Sequence, residues 1–160
     1  LMFIHQNNGK AIEAMELYTK IFPDSKIGSV LKYGDGVGNE THEVAENVQH
    51  AHFEIDGYSF FCMDNSYDHK FDFNEAISIV VMTDDQEETD HLWDSLIADG
   101  GRASMCGWLK DKFGVSSQIV PKKLIELMND SDPYKSQKVM QAMMTMQKIV
   151  ISDLEQAYQS

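Results

Sequence analysis

Gln118, the trio His50, His52 and Glu54, and the cysteines Cys62 and Cys106 are the side chains whose types and spacing could do chemistry. Gln118 sits in Ser116-Ser117-Gln118-Ile119-Val120-Pro121, four residues beyond Gly114. A buried amide there needs a partner: a neighbouring side chain, a bound molecule or, through its carbonyl, a metal ion. His50, His52 and Glu54 alternate along one segment and so project to one face of a strand, in types that could hold a divalent cation. Side chains two apart on a strand stand roughly 6–7 Å apart at their bases, so convergence would need help from another strand. A solvated His/Glu face is the simpler reading on so acidic a chain. Cys62 and Cys106 lie among apolar or small neighbours with no evident His partner in sequence, which suits buried, inert free thiols better than nucleophiles.

The remaining candidates are weaker. His5 and His42-Glu43 carry no specific pattern, and His69, in a polar loop, and His91, beside Asp90 and Asp94, read as exposed. Asp84-Asp85, Glu87-Glu88 and Asp90 cluster where a helix begins, complementing its macrodipole. Gly34-Asp35-Gly36-Val37-Gly38-Asn39 is a loop that lacks the Lys followed by Ser or Thr of a phosphate-binding turn.

Composition narrows the classes. The 160 residues suit one domain with a shared core. Thirteen Lys plus Arg against 26 Asp plus Glu leave a net charge of −13, which repels phosphate backbones and anionic headgroups and argues against nucleic-acid and membrane partners. No apolar run approaches the roughly 20 residues of a membrane span, and no signal-peptide pattern is evident, so a cytoplasmic location is expected. The ten methionines suit gap-filling in a core or an adaptable interface.

The elements that must position these side chains repeat. Residues 1–5 read as a strand. Ile12, Met15, Tyr18 (or Leu17) and Ile21 predict a helix over 10–22 ended by Pro23-Asp24. Strands come next over 26–33 and 44–55, with Asp56-Gly57 as a hairpin turn into 58–63. Residues 64–72, polar and turn-rich, read as a linker. Then come a strand over 76–82, a helix capped by Asp84-Asp85 and stopped by Gly100-Gly101, a strand over 102–106, and a hairpin folded about Phe113-Gly114. Trp108 and Phe113 can fill a core, and Gly114 can supply a positive φ. Each half thus reads strand, helix, strand, hairpin, a βαβββ unit used twice, over 1–65 and 73–121. Residues 122–160 turn helical, with a break at Pro133, a broad apolar face from Val139 to Met146 and a Ser-x-x-Glu capping box at Ser152. They are expected to pack on the remainder or on a second copy.

Trp108-Leu109-Lys110-Asp111-Lys112-Phe113-Gly114-Val115 with Gln118-Ile119-Val120-Pro121, together with AIEAMELYTKIFPD at 11–24 and FNEAISIVV at 73–81, resembles the PhnB-like proteins of the vicinal oxygen chelate superfamily. That superfamily includes glyoxalase I, bleomycin and fosfomycin resistance proteins and extradiol dioxygenases. The resemblance covers nearly the whole chain and implies an α+β fold in which two βαβββ modules form an open, curled mixed sheet around a pocket. In the metalloenzymes of that superfamily, His, Gln or Glu from the first and last strands of each module hold a divalent ion. The last-strand position, four residues after the turn glycine, falls here on Gln118 and on Phe61. The first-strand positions fall near Ile77 or Ser78 and near Leu1 or Met2. Most of these cannot bind a metal, so the expectation is a homodimeric small-molecule-binding protein without the usual metal centre and with no assignable catalytic residue. Its pocket is expected to be lined by Gln118, Trp108, Ser78, Phe61 and His52. A metal-dependent lyase, isomerase or dioxygenase and a non-catalytic interaction module are the rival readings. The methyltransferase label that such proteins carry is disfavoured, because the chain lacks the strand, glycine-rich loop and acidic strand end of a methyl-donor site.

Overall fold

The computed structural model describes residues 1–35 and 42–160; the glycine-rich stretch beyond Asp35 in the 34–39 loop lies outside them. The chain forms two compact units, Leu1–Asp72 and Phe73–Ser160. Among the described residues, no helix is long and apolar enough to cross a membrane.

The first unit is built on helix α1, Ala11–Ile21, whose Ala11, Ala14, Met15, Tyr18 and Ile21 recur at helical spacing and are buried. Pro23 ends it by forcing Phe22 into an extended conformation. Strands β1 (Met2–Phe3), β2 (Lys26–Lys32), β3 (Val48–Ile55) and β4 (Tyr58–Asp64) form one sheet in the order β1-β4-β3-β2. The β1–β4 pair is parallel and the other pairs antiparallel. Asp56 and Gly57 both take positive φ, 47° and 76°, as a two-residue hairpin turn that matches the strand twist requires. Ala51, Phe53 and Ile55 are buried on the side of β3 that packs on α1, which leaves His50, His52 and Glu54 on the opposite face.

Asp64, expected to open the linker, instead closes β4 and is 1% exposed. Its Oδ1 accepts from the backbone N–H groups of Gly9 (2.9 Å) and Ala11 (3.1 Å), and its Oδ2 from that of Val48 (2.9 Å). Its main-chain carbonyl accepts from the Tyr33 hydroxyl at 3.0 Å. A carboxylate flanked by polar residues looks like linker in one dimension; only the fold reveals the amides around it.

The second unit repeats the order. Strands β5 (Ile79–Thr83), β6 (Arg102–Ala103), β7 (Trp108–Lys110) and β8 (Ser116–Pro121) lie as β5-β8-β7-β6, with β5–β8 parallel and the rest antiparallel. Helix α2, Gln86–Ile97, starts where the Asp85 side chain accepts from the Glu88 N–H, and buries Thr89, Leu92, Trp93 and Leu96. The hairpin turn is closed by Asp111, whose Oδ1 accepts from the N–H groups of Phe113 (2.9 Å) and Val115 (3.0 Å) while Gly114 takes φ 87°.

Two expectations fail here. The strand predicted over 102–106 stops at Ala103, because Cys106 and Gly107 turn to positive φ and point their N–H groups at the carbonyls of Met146 (2.7 Å) and Gln147 (2.8 Å). A Cβ on Gly107 would stand 2.7 Å from the Ile119 carbonyl oxygen, so glycine is needed there. The capping box at Ser152 does not form: the last helix begins one residue earlier, and the Ser152 hydroxyl bonds Asp153. The Ile151 N–H is taken by the Gln86 side chain at 2.8 Å instead.

Helices α3 (Lys122–Met128), α4 (Pro133–Met143) and α5 (Ile151–Gln159) complete this unit. Leu124, Leu127, Val139, Ile149 and Leu154 form their core, with Met128, Met143 and Met146 packed at its margin. Three of the ten methionines therefore fill helix-to-helix gaps.

Removing the Asp64 carboxylate strands three backbone donors. Asp64→Ala is expected to lower the unfolding free energy by about 3 kcal/mol, since each orphaned buried donor costs roughly 1–3 kcal/mol. Asp64→Asn should lose less, because one oxygen still accepts while the new NH₂ faces a donor. Urea unfolding followed by circular dichroism measures both.

Candidate functional site

Strand alternation sorts the second sheet into two faces. Ile79, Val81, Thr83, Leu109, Ser117 and Ile119 share one face, and α2 packs on β5, β7 and β8. Val80 and Met82, both exposed, stand on the other, with Gln118, Trp108, Lys110 and Arg102. By register Gln118 lies between Val80 on β5 and Trp108 on β7. The strand position facing Gln118 is thus Val80, where the family resemblance puts the first-strand position near Ile77 or Ser78. Ser78, just before β5, still meets Gln118: its hydroxyl accepts from Gln118 Nε2 at 2.8 Å. That bond commits the amide donor within the protein. Ser116, on the same face two residues earlier, is 2% exposed, and its hydroxyl has no hydrogen-bond partner among the described residues.

Between β6 and β7 this unit has a recess of about 350 Å³, lined by Glu75, Arg102, Ser104, Trp108 and Lys110 among others. Lys110 Nζ stands 2.7 Å from Glu75 Oε1. The hydrogen bond from Lys110 holds the Glu75 carboxyl below its ordinary value, helped by a backbone N–H and by the charges of Lys110 and Arg102.

The face of the first sheet turned away from α1 is aromatic. Phe61, 54% exposed, pairs with His52 across β3–β4, and its ring centroid lies 5.1 Å from that of His52 and 5.2 Å from that of His50. His52 Nε2 is hydrogen-bonded with Ser59 Oγ at 3.1 Å, and Glu54 is ion-paired with Lys26 at 3.2 Å. The His52 ring rests on Gly28, where a Cβ would come within 2.7 Å of Nδ1. Both imidazoles therefore flank the Phe61 ring, with His52 also bonded to Ser59, while Glu54 is directed to Lys26. With a phenyl ring against both imidazoles and Glu54 committed to a lysine, this donor set does not fit a divalent cation. Among the described residues no group of three or more His, Cys, Asp or Glu is placed to hold one.

Each module thus brings part of the expected lining together: Phe61 with His52 in the first, and Trp108, Gln118 and Ser78 in the second. Sequence reasoning passes over Glu75, Arg102 and Lys110. Two signals point to them: Arg102 is the chain's only arginine, and Lys110 lies two residues from Trp108 on the same strand. His69, expected to be exposed, is half-buried between Tyr67 and Phe71, with ring centroids 5.2 and 4.7 Å away, and bonds Asn65 Oδ1. His91 is exposed. Both cysteines are free. Burial pushes the Cys62 thiol up to about 11, with the Asp64 charge adding to the shift, whereas Cys106 is only half-buried.

The chain matches the family model described as 3-demethylubiquinone-9 3-methyltransferase over residues 1–120. Among solved structures it is similar to a PhnB protein from Bacillus cereus, named for 3-demethylubiquinone-9 3-methyltransferase. That match has 35% identity and a TM-score of 0.63 over 75% of this chain and 95% of the other. The protein PA1353 from Pseudomonas aeruginosa, 22% identical, matches in fold with a TM-score of 0.61 over 75% of this chain and 93% of the other. No curated protein matches.

The two thiols differ in burial, and their reactivity should differ with it. In native protein at pH 7.5, Ellman's reagent is expected to label Cys106 first, and Cys62 only after unfolding. Cys106→Ser should abolish the native phase.

Proposed function

The chain belongs to the 3-demethylubiquinone-9 3-methyltransferase family, that of the PhnB proteins, and within it we propose a small-molecule-binding protein of the vicinal oxygen chelate superfamily that works without that superfamily's usual metal centre. The observation that carries this reading is the chemistry at the two positions four residues after Gly57 and Gly114. One is Phe61, which has no donor atom, and the other is Gln118, whose Nε2 donates to Ser78, so the two positions together offer a metal ion one carbonyl oxygen.

Each sheet face offers flat aromatic surface with a few fixed polar groups: Phe61 beside His50 and His52, and Trp108 beside Gln118. Such a lining suits a planar, partly aromatic ligand, held by stacking and oriented by one or two hydrogen bonds. The sheet topology favours binding over methyl transfer. A methyl donor's adenosine is held at strand ends and a glycine-rich turn of a doubly wound parallel sheet. Here each sheet has a single parallel pair, β1–β4 or β5–β8.

A second copy of the chain is the proposed protein partner. Strand β2 ends its sheet with Ile27, Val30 and Leu31 exposed, an apolar edge that association would cover. Sedimentation equilibrium should then give twice the chain mass.

Protein purified without chelator is expected to carry no stoichiometric divalent metal by elemental analysis, and its melting temperature should not change with EDTA. Bound metal lost on Gln118→Ala would favour a metal-dependent lyase, isomerase or dioxygenase instead. In a thermal-shift screen, planar aromatic compounds should stabilise the protein, by about 2.7 kcal/mol at a hundredfold excess over Kd. Trp108→Ala or Phe61→Ala should reduce that shift. A pure interaction module would respond to no small compound.

A further inference from the structure

We infer that the recess between β6 and β7 is an anion site that takes planar aromatic carboxylates, with the Glu75 carboxylate holding the ligand's place until it arrives. The inference rests on the reading of this sheet face as a ligand-binding surface, and adds the ligand's charge and the residues that read it.

Arg102 is the only arginine in a chain with 26 acidic residues, yet its exposed guanidinium makes no hydrogen bond or ion pair with any described residue. On so acidic a protein a cation normally finds a carboxylate, as Lys26, Lys32, Lys110, Lys123 and Lys148 do. Arg102 pairs with Lys110 across β6–β7, which puts both cations on one face of the sheet. Two residues along the same strand stands Trp108, which also lines the recess, and Ser104 lies opposite it through the bond from its N–H to the Trp108 carbonyl at 2.8 Å. The spacing from Lys110 to Trp108 along the strand, roughly 6–7 Å, matches an aromatic ring bearing a carboxylate. The ring would lie on the indole and the acid would face a guanidinium fork that binds two oxygens at once.

Glu75 supplies the second half of the inference. Its carboxylate lies in the recess at 2.7 Å from Lys110, within the field of Arg102. It is exposed and belongs to the irregular segment before β5, which has no strand hydrogen bonds to hold it in place. An incoming carboxylate can therefore replace it on Lys110 by a swing of one side chain.

The test is isothermal titration of the full chain at low salt with 2-naphthoate and with its neutral counterpart 2-naphthalenemethanol. Wild type should bind the acid about tenfold more tightly than the alcohol, since charge-assisted bidentate bonds are roughly twice as strong as neutral ones. Arg102→Ala, an exposed position whose melting temperature should be unchanged, is expected to cut that preference at least threefold, with Lys110 left as the remaining cation, and leave alcohol binding unaffected. Glu75→Gln should tighten acid binding by about threefold, the effect of removing a competing carboxylate, without moving the alcohol. Equal binding of acid and alcohol by wild type, or an acid preference undiminished by Arg102→Ala, would overturn the anion site and leave the ligand-binding face standing. Weaker acid binding by Glu75→Gln would overturn the place-holding role. If wild type binds neither compound, the anion site and the reading beneath it both fall.

Discussion

A buried carboxylate accepting several main-chain N–H groups is the interaction on which each unit depends. Asp64 gathers the start of α1, the loop before it and the first residue of β3 onto the end of β4. Asp111 does the same for the tight turn between β7 and β8. Backbone donors withdrawn from water at such junctions have no ladder partner, and a carboxylate satisfies two or three of them at once. Asp64 thereby fixes where helix and sheet of its module meet, and Asp111 fixes the register that sets Trp108 opposite Gln118.

From that register the faces arise without further instruction. One side of β3, β5, β7 and β8 meets a helix; the other receives whatever the sequence places at alternate positions. The two modules have used this freedom differently. In the first, the face holds a phenyl ring between imidazoles. In the second it runs from Val80 and Met82 through an amide and an indole to Lys110 and Arg102. Gly57 and Gly114 both take positive φ, and the strand order is the same in both units, so the duplication is retained in topology while the turns and the projecting chemistry have diverged.

Most elements are legible in the sequence because they answer to local rules. The α1 stripe, the Asp56-Gly57 turn, the Asp85 cap and the helix break at Pro133 all act over a few residues. The exceptions share the opposite property. Asp64 is bonded to Gly9 and Ala11, more than 50 positions away, and Ile151 is capped by Gln86, so neither partner lies within any window a local rule inspects. Strand β6 is shorter than its residues suggest for the same reason, since Cys106 and Gly107 answer to carbonyls near position 146. Of the candidate lining, Gln118 and Trp108 are marked by the hairpin pattern. Arg102, Lys110 and Glu75 belong to no motif of histidines or cysteines; their signal is a lone guanidinium on an acidic chain, and it gains meaning only when the strands bring the three together.

The attachment of the last three helices bears on how the chain can be divided. The family match ends at residue 120, and the B. cereus structure, 95% covered by three-quarters of this chain, leaves little length for a counterpart of the C-terminal helices. Yet the amides of Cys106 and Gly107 are met from the loop at 146–147, and the side chain of Ile149 sits 3.3 Å from where a Cβ on Gly107 would be. The end of the family match is therefore not a seam in the structure: the segment beyond it closes the turn before β7 and belongs to the same compact unit.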